Sequence, residues 1–113
     1  MKATALYAGL VLQLALMGAA LAQTAPDLKD PNVIAAGRQL FEEKQCTYCH
    51  GARGNGGVKL AGRDDLEADY VFQTIAEGRV RGSLRMPSWR GVLSDQQIWQ
   101  ATAYVLSLAQ QPK

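Results

Sequence analysis

The chain has 113 residues, room for one small domain, and 12 Lys and Arg against 10 Asp and Glu leave a formal charge of +2. That balance argues for no particular partner and gives no ground for a nucleic-acid one. With 2 cysteines and 1 histidine, a closed Cys/His zinc site is excluded within one chain, and a domain this small is marginal without some staple.

The start reads as a targeting segment. Lys2 supplies a positive charge, none follows from Ala3 through Gln23, and Ala5–Leu16 is an apolar core. Ala20-Leu21-Ala22 fits a small-x-small cleavage site, and Gln23-Thr24-Ala25-Pro26 begins polar chain. A stretch of about 20 apolar residues could also anchor in a bilayer. The cleavage pattern and the Ala/Gly content favour removal, so residues 1–22 read as a signal peptide. The exported chain, 23–113, would then be periplasmic and free of the membrane.

Residues 23–31 form an extended lead with Pro26 and Pro31. Asp30-Pro31 starts a helix, with Asp as N-cap and Pro at the first helical position. Val33, Ile34, Gly37, Leu40 and Phe41 recur at helical spacing, so the pattern predicts an amphipathic helix over 32–45. Gly37 in mid-helix costs about 1 kcal/mol relative to Ala, which points to another element in close approach.

The helix runs into Cys46-Thr47-Tyr48-Cys49-His50. Two thiols and an imidazole reach one object from a single tight turn, and Cys-x-x-Cys-His is the attachment signature of c-type haem. The thiols take the two vinyl groups as thioethers, and the histidine supplies an axial nitrogen to iron. A thioredoxin-like redox pair needs a βαβ context, whereas here a helix precedes the motif and glycines follow it. A plain Cys46–Cys49 disulfide closes a loop too short to stabilise much. One covalent haem c, held by Cys46 and Cys49, is therefore the expected cofactor, and it would supply the missing staple.

Four glycines between Gly51 and Gly57 predict a loop with positive φ and close backbone approach. No Lys-Ser/Thr follows, so a phosphate-binding loop is disfavoured. A loop carbonyl is expected to accept the Nδ1–H of His50, fixing its tautomer. Leu60 reads as core. Arg63 is a candidate hydrogen-bond donor to a haem propionate, with an ordinary exposed arginine as the alternative.

Asp64, Asp65, Glu67 and Asp69 make an acidic start to a second helix over 67–77, and Gly78 reads as its C′ residue. Arg79–Arg90 reads as a loop with Arg79, Arg81, Arg85 and Arg90 around Met86-Pro87-Ser88-Trp89. Ser94 and Gln97 form a capping box for a last helix over 95–109, with Ile98, Ala101, Tyr104, Val105 and Leu108 as its apolar stripe. No strand pattern or repeat is visible, so the class is all-α.

A second axial ligand can be sought by elimination. The chain has 3 methionines, and signal removal takes Met1 and Met17. Met86, a lysine (Lys29, Lys44, Lys59 or Lys113) or water remain. A thioether is soft and uncharged, which suits ferrous haem, whereas lysine must first lose its proton.

Taken in order, these features resemble a bacterial class I monohaem cytochrome c. The resemblance rests on Gly37/Phe41, Cys46–Gly51, the glycine loop, Leu60-Ala61-Gly62-Arg63, Glu77-Gly78, Met86-Pro87-x-Trp89, and Leu93-Ser94-Asp95 through Leu108. It implies a small cytochrome c-like fold over 32–113, with about three main helices around one covalent haem. It implies that the first and last helices cross at Gly37, with Phe41 and Tyr104 at the crossing. It makes His50 the proximal and Met86 the distal ligand, and brings Trp89 with Arg63 into the cofactor-binding set. Many members hold the histidine through a proline-containing loop, and here Val58-Lys59 stand near that place.

The function implied is a periplasmic single-electron carrier rather than an enzyme. Its partners would be redox proteins such as a dehydrogenase, a reductase or a terminal oxidase. Two other readings stand beside it. One is the tightly bound cytochrome subunit of a dehydrogenase complex. The other is a haem enzyme or sensor with an open sixth site.

Overall fold

The structure, a computed structural model, describes residues 25–112. The expected signal peptide lies outside the described residues. Three main helices and one short turn of helix carry the fold: α1 (Pro31–Glu43), α2 (Thr47–His50), α3 (Ala68–Glu77) and α4 (Asp95–Ala109). The all-α reading holds.

Local chemistry accounts for the helix ends. Asp30 caps α1 by accepting from the Asn32 N–H at 2.8 Å, with Pro31 in the first turn where no donor is missed. Ser94 and Gln97 form the reciprocal capping box of α4, at 3.1 and 2.9 Å. At the other end of α1, Gln45 takes φ 61°, the left-handed conformation. The Cys46 N–H then bonds to the Phe41 carbonyl at 3.1 Å and the Gln45 N–H to that of Glu42 at 3.2 Å. This is a Schellman ending with glutamine where glycine is usual. It turns the chain sharply from α1 into α2.

α1 and α4 cross where Gly37 meets Gln100 and Tyr104. A Cβ at Gly37 would lie 2.6 Å from the Gln100 carbonyl carbon, so only glycine permits this approach. Phe41 and Tyr104 pack edge to face beside it, ring centroids 5.1 Å apart. α3 joins α4 through Phe72 against Trp99, at 4.3 Å between ring centroids. Ile98, Leu108 and Thr102 are the largest fully buried side chains, and the Thr102 hydroxyl donates to the Ile98 carbonyl at 2.8 Å. Each large apolar side chain buried here contributes roughly 1.5–3 kcal/mol.

The expected loop after α3 contains a small antiparallel hairpin, a correction to the sequence reading. β1 (Arg79–Arg81) pairs with β2 (Leu84–Met86), in the register Arg79↔Met86, Val80↔Arg85 and Arg81↔Leu84. Gly82-Ser83 is the two-residue turn. Gly82 has φ 59°, the positive value that a II′ turn requires at its first central position.

Candidate functional site

The Cys-x-x-Cys-His turn forms α2 itself. The His50 N–H bonds to the Cys46 carbonyl at 3.1 Å and the Gly51 N–H to that of Thr47 at 2.8 Å. One helical turn therefore brings Cys46, Cys49 and His50 together. No disulfide joins the two cysteines; Cys46 is half-buried and Cys49 exposed. Burial pushes the Cys46 thiol pKa up, because the thiolate would lose its solvation.

The glycine loop then folds back on this turn. The Gly56 N–H bonds to the His50 carbonyl at 2.8 Å, and the Val58 N–H to that of Cys49 at 3.0 Å. These two bonds bring the Val58 carbonyl to His50 Nδ1, 2.9 Å away. Nδ1–H donates to that oxygen, which leaves Nε2 as the ring's lone-pair nitrogen. The acceptor thus lies one residue beyond the glycine run, in a loop without proline.

His50 and Cys46 open onto a cavity of about 330 Å³. Its apolar walls come from Leu40 and Phe41 of α1, Val71 and Ile75 of α3, and Ala101 and Val105 of α4. Met86 and Trp89 complete the wall from the segment after α3. His50, Met86, Arg63 and Trp89 therefore share one cavity, though they come from distant parts of the sequence. Cys49 is not part of the wall.

Met86 is held from both sides. Before it, the hairpin pairs it with Arg79. After it, the Ser88 hydroxyl donates to the Ala76 carbonyl at 2.6 Å. The N–H groups of Trp89 and Arg90 bond to the carbonyls of Ile75 and Ala76 at 3.1 and 3.0 Å. These bonds satisfy carbonyls at the end of α3 and pin the methionine segment to it. Sequence reasoning missed Ser88 in this role, since a serine in a Pro-Ser pair looks like ordinary turn chemistry.

The hairpin register decides which side chains meet the cavity. Arg79, Arg81, Leu84 and Met86 share one face and line it; Val80 and Arg85 take the other face. Arg79 sits over the Tyr70 ring, 5.6 Å from its centroid. Arg63 also lines the cavity, but it forms two hydrogen bonds to Asp65, at 2.9 and 2.6 Å. Those bonds hold the Asp65 carboxyl below its usual range. Arg90 is drawn away from the site by Glu77 at 2.7 Å and Asp95 at 3.8 Å.

The chain is similar to several known proteins. A family model described as cytochrome C oxidase, cbb3-type, subunit III matches residues 32–105. The cbb3-type cytochrome c oxidase subunit FixP of Sinorhizobium medicae is 33% identical over 92 residues, which cover 70% of this chain and 31% of that subunit. Cytochrome c6 of Tetradesmus obliquus is 34% identical over 83 residues, 67% of this chain and 91% of that protein. Among solved structures, a chain of the reducing HAO-like protein complex of Kuenenia stuttgartiensis aligns with a TM-score of 0.55 at 26% identity. That alignment covers 80% of this chain and 48% of the other.

Proposed function

We infer the function of this chain from its family: it belongs to the cytochrome c domains of the cbb3-oxidase subunit III type, and is an electron-transport protein that works through haem iron. We propose the finer assignment that Cys46 and Cys49 hold one haem c by thioethers, with His50 and Met86 as its axial ligands. The observation that carries this reading is that His50 and Met86, an imidazole and the only methionine after the signal segment, line one apolar cavity.

The residues fit the group. Bound haem would supply a one-electron ferric/ferrous couple. Val58 fixes the His50 tautomer and raises the basicity of Nε2. The Met86 thioether is soft and uncharged, and favours the ferrous state. The apolar walls from α1, α3 and α4 would shield the haem faces they cover from water, which lowers the solvent reorganisation that electron transfer demands. Trp89 and Arg63 stand in the same wall as contacts for the macrocycle.

The proposed location is the periplasm, after cleavage behind Ala22. Among the described residues no helix is long and apolar enough to cross a membrane. Mass spectrometry of the exported protein tests both points: the expected mass is that of residues 23–113 plus one covalent haem. A folded, haem-free, zinc-loaded protein from the native host would overturn the assignment.

A second reading is that the domain serves as a stable subunit of a larger redox complex. It is favoured by the matches to FixP and to one chain of the HAO-like complex, of whose lengths this chain spans 31% and 48%. Purification at moderate salt followed by sizing separates the two. A free carrier elutes as a small protein, and a subunit elutes with its partner.

A further inference from the structure

We propose that Arg79 and Arg81, on the inward face of the hairpin, are the residues that bind and neutralise the two propionate carboxylates of the haem. The proposal rests on the haem reading above and assigns a binding role within that site. Pairing in the hairpin puts both guanidinium groups on the cavity side with Met86, while Arg85 is carried on the opposite strand face.

The charges around the cavity single out these two. α1 contributes Lys44, the segment before α3 contributes Arg63 and Asp65, and α3 contributes the Tyr70 phenol. The α4 wall residues, Ala101 and Val105, carry no charge. Arg63 is already occupied by both oxygens of Asp65. Among the described residues neither Arg79 nor Arg81 has a carboxylate within ion-pair distance. Two adjacent forks thus line the cavity with no ion-pair partner among the described residues, and the other unpaired cation there, Lys44, offers a single ammonium in place of a fork. A guanidinium presents donors in a geometry matched to a carboxylate, and haem carries two carboxylates on one edge. Tyr70 under Arg79 holds the first fork in position. Carboxylates so paired would stay ionised at lower pH, and added positive charge at the site would favour the ferrous state of a bound haem.

The test is the midpoint potential of the holoprotein against pH, for wild type, Arg79→Gln/Arg81→Gln, Arg79→Lys/Arg81→Lys and Arg85→Gln. Thioether attachment keeps the haem in place in each, so the optical spectrum verifies an intact site before comparison. The wild-type potential is expected to be flat between about pH 5 and pH 8. The double glutamine variant is expected at a lower potential, which falls further as pH rises and the unpaired propionates ionise. The lysine pair should return most of the potential, and Arg85→Gln should match wild type in its pH profile. A double glutamine variant with the same potential and pH profile as Arg85→Gln overturns the proposal while the haem reading stands. A wild type without covalent haem removes both.

Discussion

Gly37 and Gln100 touch backbone to backbone, where α1 crosses α4. A Cβ at position 37 would lie 2.6 Å from the Gln100 carbonyl carbon and 3.0 Å from the Tyr104 Cβ. Gly37→Ala gains about 1 kcal/mol of intrinsic helix propensity. It also forces the crossing apart, and overpacking of this kind costs roughly 1–3 kcal/mol or more. Net destabilisation is therefore expected, read as a lower Tm. A variant more stable than wild type would show that the crossing yields without loss.

Much of this crossing was legible in the sequence. A glycine inside a strong helical pattern, followed by Phe41, announced a close partner, and Ile98 through Leu108 supplied its stripe. Both caps were equally readable, because capping depends on a few local residues. The hairpin was not. Its strands, Arg79–Arg81 and Leu84–Met86, are three residues each, too short for a period to stand out. The first also inverts the usual alternation, since Val80 turns outward and two arginines turn inward. Gly82-Ser83 was the one available signal. The His50 acceptor was unreadable for another reason. It depends on how far a glycine-rich loop coils before returning, which no side chain in the loop specifies.

The coil can be tested at Gly56. A Cβ there would stand 2.6 Å from the His50 carbonyl carbon and 2.7 Å from the Cys49 carbonyl oxygen. Gly56→Ala must therefore push the loop away and lengthen the contact between His50 Nδ1 and Val58. A histidine that loses this acceptor is a weaker donor to iron. The expected result is a more positive midpoint potential in the purified holoprotein, together with a lower Tm. An unchanged potential would mean that the Val58 carbonyl does not tune the ligand.

Tyr104 gives an alkaline signature. Burial raises its phenol above the ordinary value of 10.0, because the phenolate would lose its solvation. The folded state thus holds this proton more tightly than the unfolded state. The resulting stability is complete below the unfolded value and is lost as pH rises through the folded one. Tyr104→Phe keeps the ring against Phe41 and removes only a long 3.5 Å hydrogen bond to the Ala52 carbonyl. At neutral pH the two proteins should differ by less than about 1 kcal/mol in chemical denaturation. Above pH 10 the wild type should lose stability relative to the variant. Parallel profiles up to pH 11 would contradict the assignment.

Arg85 and Val80 share the outward face of the hairpin beside the cavity, and Val80 is 64% exposed. With Arg90 tied to Glu77 and Asp95, Arg85 is the arginine of this segment left to present charge to a redox partner. Small oxidants of opposite charge report on it directly. Oxidation of the ferrous protein by hexacyanoferrate, an anion, should slow as salt rises, whereas a cationic cobalt complex should react faster. Arg85→Glu should weaken the first dependence. Equal salt dependence in wild type and variant would remove Arg85 from the docking surface.

The proposed role of Met86 as distal ligand would join the chemistry of the site to its mechanics. The methionine lies at the end of β2 and is followed by Pro87, which holds it extended. Ser88, Trp89 and Arg90 then fasten the chain to Ile75 and Ala76 at the end of α3. A loop held on both sides can keep a weak thioether bond to iron closed, since opening it means breaking the clamp as well. Met86→Ala should abolish the sulfur-to-iron charge-transfer band, lower the midpoint potential and let the ferrous protein bind carbon monoxide. Ser88→Ala tests the clamp without touching the ligand. It removes the 2.6 Å bond to the Ala76 carbonyl, and a side-chain hydrogen bond of this kind is worth about 1 kcal/mol. Its holoprotein should retain the charge-transfer band yet bind carbon monoxide measurably faster than wild type, by roughly fivefold if the whole of that energy holds the loop closed. Wild-type ferrous protein that binds carbon monoxide readily at neutral pH would show an open sixth position. The carrier reading would then give way to a haem enzyme or sensor.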